Sequence, residues 1–170
     1  MRLLYNFDTL STDRIEIFRL RDRPWMVQPF RNLSLCGDDR EELALVNPGE
    51  SAEESLFYCM TQENSYGVLF DGTPSLLFGF APYDRACFIP WLLSDGRIQK
   101  HCPKEFLRLA RKIVGKVRAT GIPMYNCVPA ESKRNVEWLE RLGFLINPVP
   151  VCSSGGVPVR VFSINVTTEG

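Results

Sequence analysis

The stretch from Ser94 to Phe144 constrains this chain more than any other. Its centre is an amphipathic segment, Pro103 to Thr120, in which Phe106, Ala110, Ile113 and Val117 fall on one helical stripe flanked by Leu107 and Val114. Pro103 suits the first helical position, where its missing N–H would have no partner in any case, and Gly121 ends the helix. A short apolar strand, Met124 to Val128, follows. Ser132 then caps a second helix through Leu142, with Val136, Leu139 and Leu142 apolar and Gly143 as its stop. Upstream, Ala86 to Leu93 is almost continuously apolar, as a central strand covered on both faces must be. Pro90 cannot donate to a ladder, so the strand is expected to bulge or splay there. The strand–helix–strand order predicts a crossover between parallel neighbours.

The rest of the chain supplies antiparallel partners and covering helices. Ile15 to Leu20 alternates as a strand, with Ser11-Thr12-Asp13 as a turn before it. Pro24 and Pro29 bracket a short helix or turn. Asp38 to Val46 reads as a helix capped by Asp38 or Asp39. Ser51 to Thr61 is a second, with Ser51 and Glu54 at capping-box spacing. Ser65 to Phe70 and Ser75 to Phe80 form a hairpin across Asp71-Gly72-Thr73-Pro74. Leu145 to Cys152 and Val157 to Val166 form another around Ser153-Ser154-Gly155-Gly156.

At 170 residues the chain reads as one domain, residues 1–170, with enough length for a real core. The net charge is zero, so global charge implies no partner. No apolar run approaches the ~20 residues that span a bilayer, and the first eight residues do not resemble a signal peptide. The expected location is the cytoplasm of the producing cell, or a virion assembled there. The six cysteines are scattered, with no Cys-x-x-Cys pair, and most read as buried thiols rather than metal ligands. His101 is the single histidine, which excludes any site needing two. His101 and Cys102 are sequence neighbours whose side chains diverge, a poor nucleophile–base pair. Of the front-half aromatics, Trp25, Phe30, Tyr58, Tyr66 and Tyr83, most are expected in the core.

The residues Ile89 to Phe144, closing on Leu142-Gly143-Phe144, resemble the GNAT N-acetyltransferases. The resemblance implies an α+β domain of the acyl-CoA N-acyltransferase fold, with one mixed central sheet of about six or seven strands and helices on both faces. The run Trp91 to Gly96, with the basic helix and the Gly-terminated helix, is also loosely similar to acetyltransferase-like internal virion (core) proteins of short-tailed bacteriophages. In GNAT enzymes the pyrophosphate of acetyl-CoA sits on a Gln/Arg-x-x-Gly-x-Gly/Ala turn at the long helix's N-terminus, where free N–H groups and the positive helix end hold the anion. Here the corresponding residues are Gln99-Lys100-His101-Cys102-Pro103-Lys104. Gln99 fits, while both glycines are replaced and Pro103 removes a donor. What remains for an anion is Gln99, Lys100 and Lys104, with Arg97 nearby. The tyrosine that GNAT enzymes often use as general acid falls at Leu139, which has no proton to give. The usual asparagine falls at Ser132. Glu16, Glu54, Glu63 and Asp84 are the candidate bases near the sheet, with nothing to choose among them.

Charge is segregated within the neutral total. Arg97, Lys100, Lys104, Arg108, Arg111, Lys112, Lys116 and Arg118 crowd residues 97–118 against Glu105 alone, and eight acids crowd residues 38–63 against Arg40 alone. The bland reading is a solvated helix face with charge pairing between the two regions. The functional reading makes Arg97, Arg108, Arg111, Lys112, Lys116 and Arg118 a docking surface for a protein partner, or for the acidic front half of another copy. Nucleic acid is disfavoured because no aromatics interleave with the bases, and no membrane partner is expected. Three functions stay open: a pseudoenzyme of binding and assembly with no cofactor, as in a phage virion or host-interaction component; an active N-acetyltransferase using acetyl-CoA on a small-molecule or protein amine; or a protein that binds a different small ligand in the cleft between splayed central strands.

Overall fold

The computed structural model describes residues 6–167. Residues 1–5 and 168–170, and with them most of the N-terminal run weighed above as a leader, lie outside the described residues.

The strands are β1 (Ile15–Arg19), β2 (Ser65–Phe70), β3 (Thr73–Pro82), β4 (Phe88–Ser94), β5 (Met124–Pro129), β6 (Leu145–Ile146), β7 (Val151–Cys152) and β8 (Pro158–Ile164). They form one mixed sheet in the order β1-β2-β3-β4-β5-β8-β6, with β7 also paired to β8. Both β6 and β7 pair with β8, at Ser163 and Phe162 and at Val159 and Pro158 respectively. The single strand expected over Leu145 to Cys152 is therefore two short pieces, because Pro148 and Pro150 between them cannot donate to a ladder. The helices are α1 (Val27–Arg31), α2 (Gly37–Val46), α3 (Ala52–Met60), α4 (Arg97–His101), α5 (Pro103–Ala119) and α6 (Lys133–Leu142). Among the described residues, none is long and apolar enough to cross a membrane.

The period-2 pattern of the strands places a core on each side of the sheet. On one face Ile15, Ile17, Tyr66, Val68, Leu76, Phe78 and Phe88 pack beneath α5 and α6, with Phe106, Leu109, Val117 and Val136 from above. On the other, Phe18, Leu69, Leu77 and Leu93 pack beneath the front helices, with Phe30, Leu56 and Met60. Asp71 and Gly72 both have positive φ, as the tight β2–β3 hairpin requires. Ser51 and Glu54 complete their capping box, 3.1 and 2.8 Å. Gly143 (φ 93°) closes α6, with Phe144 N–H returning to Leu139 O at 3.1 Å.

Several expectations need correction. Neither Asp38 nor Asp39 caps α2; the N-cap position is Cys36, with no side-chain bond. Ser132 occupies the N-cap position of α6, but its hydroxyl makes no capping bond. Pro29 lies inside α1 rather than bracketing it. The front-half aromatics divide: Phe30 and Tyr66 are fully buried, while Trp25, Tyr58 and Tyr83 are exposed. Among the cysteines Cys87 alone is buried, four are half-buried and Cys152 is exposed. β4 pairs with β3 without a register shift through Pro90, and the one shift in that hairpin stack lies between β2 and β3 at Val68/Leu69. Of the two resolutions expected at Pro90, the bulge is absent and the splay is present: Pro90 sits where β4 leaves β5, and the two parallel strands pair only at Phe88↔Met124.

Candidate functional site

The parting of β4 from β5 opens a gap in the sheet between two parallel neighbours. Backbone groups of alternate residues point to opposite edges of a strand. Asp95 N–H reaches back to Ser75 O on the β3 side, 2.9 Å, so Ser94, Leu92 and Pro90 turn their backbone groups toward the gap. Pro90 has no N–H to offer. Its carbonyl accepts Asn126 Nδ2 from β5 at 2.9 Å, while Asn126 Oδ1 accepts its neighbour Cys127 N–H at 2.7 Å. One side chain thus replaces the missing ladder bond and ties the strands at the root of the opening. At the far end Ser94 N–H donates to Asp39 Oδ2 (2.7 Å) and Ser94 O accepts Cys36 N–H (2.8 Å). Leu92 lies between these closures and is 37% exposed.

Asp39 belongs to α2, which lies across the mouth of the opening. From the same helix Glu42 accepts Asn135 Nδ2 of α6 at 3.0 Å, and Asp38 meets Arg134 at 3.5 Å. Two acids on the first turns of α2 thereby face the first turn of α6, whose positive end favours them. Burial pushes the carboxyls of both Asp39 and Glu42 up, Glu42 to about 7, with the charges of Asp39 and Asp38 adding to the shift at Glu42.

The segment that the resemblance aligns with a pyrophosphate turn is helical. Residues Arg97 to His101 form α4, a helical turn of their own. Lys100 N–H bonds Gly96 O, Cys102 N–H bonds Ile98 O at 2.8 Å, and Phe106 N–H bonds Cys102 O at 2.9 Å. With Pro103 lacking a donor, the first-turn N–H groups of α5 left unbonded by helix geometry are those of Lys104 and Glu105. Glu105 brings its own negative charge to that end. Gln99 is turned inward, its Oε1 accepting Ser94 Oγ at 3.0 Å, whereas Lys100 and Lys104 are exposed. Gln99 is thus engaged within the fold while Lys104 faces solvent.

The basic residues divide in the same way. Arg97 pairs with Asp95 (2.6 Å) and donates to Pro74 O (2.7 Å). Arg111 and Arg118 donate to Arg141 O and Gly143 O, 3.0 and 2.9 Å, satisfying carbonyls at the negative end of α6. Arg108 and Lys112, with Lys104, flank Leu107 along a shallow open groove on the outer face of α5. Lys116 is half-buried. The pairing imagined between α5 and the acidic front half is replaced by other partners: Arg40 with Glu53 inside the front half and Arg134 with Asp38 from α6.

Each candidate base named from the sequence has a structural task. Glu16 pairs with Arg23 at 2.6 Å and Glu63 with Arg21 at 3.3 Å. Glu54 completes the capping box, and Asp84 accepts the N–H groups of Ala86 and Cys87. Sequence reasoning missed Asp39 and Glu42. Asp39 reads as a helix cap and Glu42 as one more acid in the run, and only the docking of α2 on β4 and α6 buries them. Leu139, at the tyrosine position, lines an apolar cavity beside Trp138, whose ring stacks on Phe106 at 4.9 Å. Among the described residues no cluster of His, Cys, Asp and Glu fits a metal ion.

Comparison with solved structures establishes the class: this is the GNAT acetyltransferase fold. The chain is similar to the ribosomal-protein-S5-alanine acetyltransferase from Vibrio fischeri, with TM-score 0.63, 11% identity and coverage of 94% of this chain and 98% of that one. It is similar to aminoglycoside 6'-acetyltransferase type Ii, with TM-score 0.59, 18% identity, and 91% and 99% coverage. A GNAT family acetyltransferase from Elizabethkingia anophelis with acetyl-CoA bound gives TM-score 0.54, 12% identity, and 91% and 100% coverage. No protein-family model matches the chain, and no curated protein matches it by sequence. At such identities the likeness speaks for the fold alone.

Proposed function

We propose that this chain is a GNAT-fold protein whose acetyl-CoA site is closed by its own side chains, and that it works by binding and assembly rather than by acetyl transfer. The observation that carries the reading is the outward edge of β4. Pro90 O and both backbone groups of Ser94, at the two ends of the gap on either side of Leu92, are bonded by the side chains of Asn126 and Asp39 and by the backbone N–H of Cys36. The conversion of the phosphate turn into α4, the inward turn of Gln99 and the leucine at position 139 support it. Lys104, Arg108 and Lys112 are the docking residues of this reading, with an acidic protein surface as the partner and a phage virion or host-interaction setting as the context that the sequence resemblance supplies. Calorimetry and thermal denaturation with acetyl-CoA test it. No heat and no shift in melting temperature at millimolar acetyl-CoA are expected. Binding tighter than ~10 μM, about −7 kcal/mol, would sink it.

A second reading, the active N-acetyltransferase, is favoured by one observation. Glu42 sits at the mouth of the opening with a carboxyl raised to about 7, the range suited to a general base at neutral pH. In that reading acetyl-CoA binding displaces the Asp39 and Asn126 closures and Glu42 takes the proton of an acceptor amine. Acetyl transfer to a panel of small and peptide amines, lost at least tenfold in Glu42→Gln, would establish it; absence of transfer across the panel would remove it.

A further inference from the structure

Between the sheet and helices α5 and α6 lies a cavity of about 140 Å³. Its floor is Phe78, Phe80 and Leu92, and its roof is Leu109 and Ile113 of α5 and Leu139 of α6. It exists because two elements withdraw at once. β4 parts from β5 after Phe88, and among the α5 residues of the lining Ala110 contributes only a methyl group. Leu92, 37% exposed, forms the mouth.

The chemistry of the lining selects the occupant. A buried water needs two to four polar partners. The lining side chains here are overwhelmingly apolar. Phe106 and Trp138 also turn ring faces rather than donors toward each other, with planes 2° apart. No ionised side chain lines the space, so a carboxylate, an amine or a phosphate would enter without a counter-charge. An empty void of this size leaves the surrounding atoms without contacts on one side. An engineered cavity of about 150 Å³ lined by Leu, Ile and Phe stays dry and takes up benzene or xenon.

We propose that this cavity is a binding site for a small, uncharged, apolar molecule of about one aromatic ring, or a short branched hydrocarbon of that bulk, entering past Leu92 without a nucleotide attached. The proposal rests on the reading that the β4 edge is closed to acetyl-CoA, and the two fail separately because they are titrated with different ligands.

The test uses the whole chain with benzene, indole and xenon as probes. Methyl NMR and thermal denaturation are followed on the wild type and on Ala110→Ile, which fills the space from α5. The expected result is saturable binding of benzene or indole at about 1 mM or tighter. The methyls of Leu92, Ile113 and Leu139 move, the melting temperature rises with ligand concentration, and binding weakens at least tenfold in Ala110→Ile. If that variant does not fold, xenon density in crystals of the wild type gives the same answer, and its absence from the cavity overturns the proposal. Non-saturable shifts, or perturbations confined to methyls outside the cavity, overturn it as well. Displacement of bound indole by acetyl-CoA would overturn both readings, since the cavity would then belong to a thioester site. Failure of the probes with acetyl-CoA also inert would overturn this proposal alone.

Discussion

Replacing Glu42 by glutamine isolates the electrostatic cost of laying α2 across the opening. Glu42 is largely buried, and its carboxyl rises from the ordinary 4.5 to about 7. A carboxyl raised on folding binds its proton more tightly in the native state, so its contribution to stability is fully present below pH 4.5 and is lost as the pH climbs through 7. At 1.36 kcal/mol per pH unit, the interval corresponds to about 3 kcal/mol, an upper figure because part of the side chain still meets solvent. Glutamine keeps an oxygen to accept Asn135 Nδ2 and carries no charge. The expected outcome is that wild type and Glu42→Gln melt alike at pH 4.5 and separate as the pH rises, with the variant more stable by up to about 3 kcal/mol above pH 7. For a chain of this size each kcal/mol moves the melting temperature by roughly 2–4 °C. The assay is thermal denaturation from pH 4.5 to 8.5, backed by urea unfolding at the two ends. Parallel pH profiles for the two proteins would refute the argument, as would a variant destabilised equally at every pH.

Three further outcomes follow from named contacts. Asp39→Ala removes the acceptor for Ser94 N–H, which is fully buried, and should cost about 1–3 kcal/mol in urea unfolding; if the Asp39 contact is what closes the β4 edge, hydrogen exchange at Ser94 rises with it. Gly79→Ala drives a methyl to within 2.7 Å of the Asn64 carbonyl and against the Trp91 ring, and should destabilise by roughly 1–3 kcal/mol or more; a neutral result would refute the clash, since both the Asn64 backbone and the Trp91 ring would have to yield without cost. Ser51→Ala breaks the capping box of α3 and should lower stability by about 1 kcal/mol, measurable as a shift in urea midpoint at unchanged slope.

The elements of this fold are legible in the chain because each obeys a short-range rule. Phe106, Ala110, Ile113 and Val117 announce α5, Asp71-Gly72 the hairpin, Ser51 and Glu54 the start of α3, and Gly143 the end of α6. Their order is enough to reach an α+β sheet with a parallel crossover and the GNAT resemblance, since local periodicity and loop length restrict the topologies available. The departures from the family's signature, at Cys102, Pro103 and Leu139, are equally visible as plain residue identities. What sequence could not reach depends on contacts between residues far apart. Asp39 reads as a helix cap until α2 docks 55 residues away on Ser94. Asn126 reads as an ordinary strand polar residue until Pro90 is found to lack a partner across the splay. Arg111 and Arg118 look like free surface charge until the carbonyl end of α6 arrives beside them. The amphipathic stripe determined that α5 packs on the sheet; only the tertiary structure decided that the gap beneath it is shut at both ends and hollow between, because closure and cavity alike are set by distances between elements and not by the pattern within any one of them.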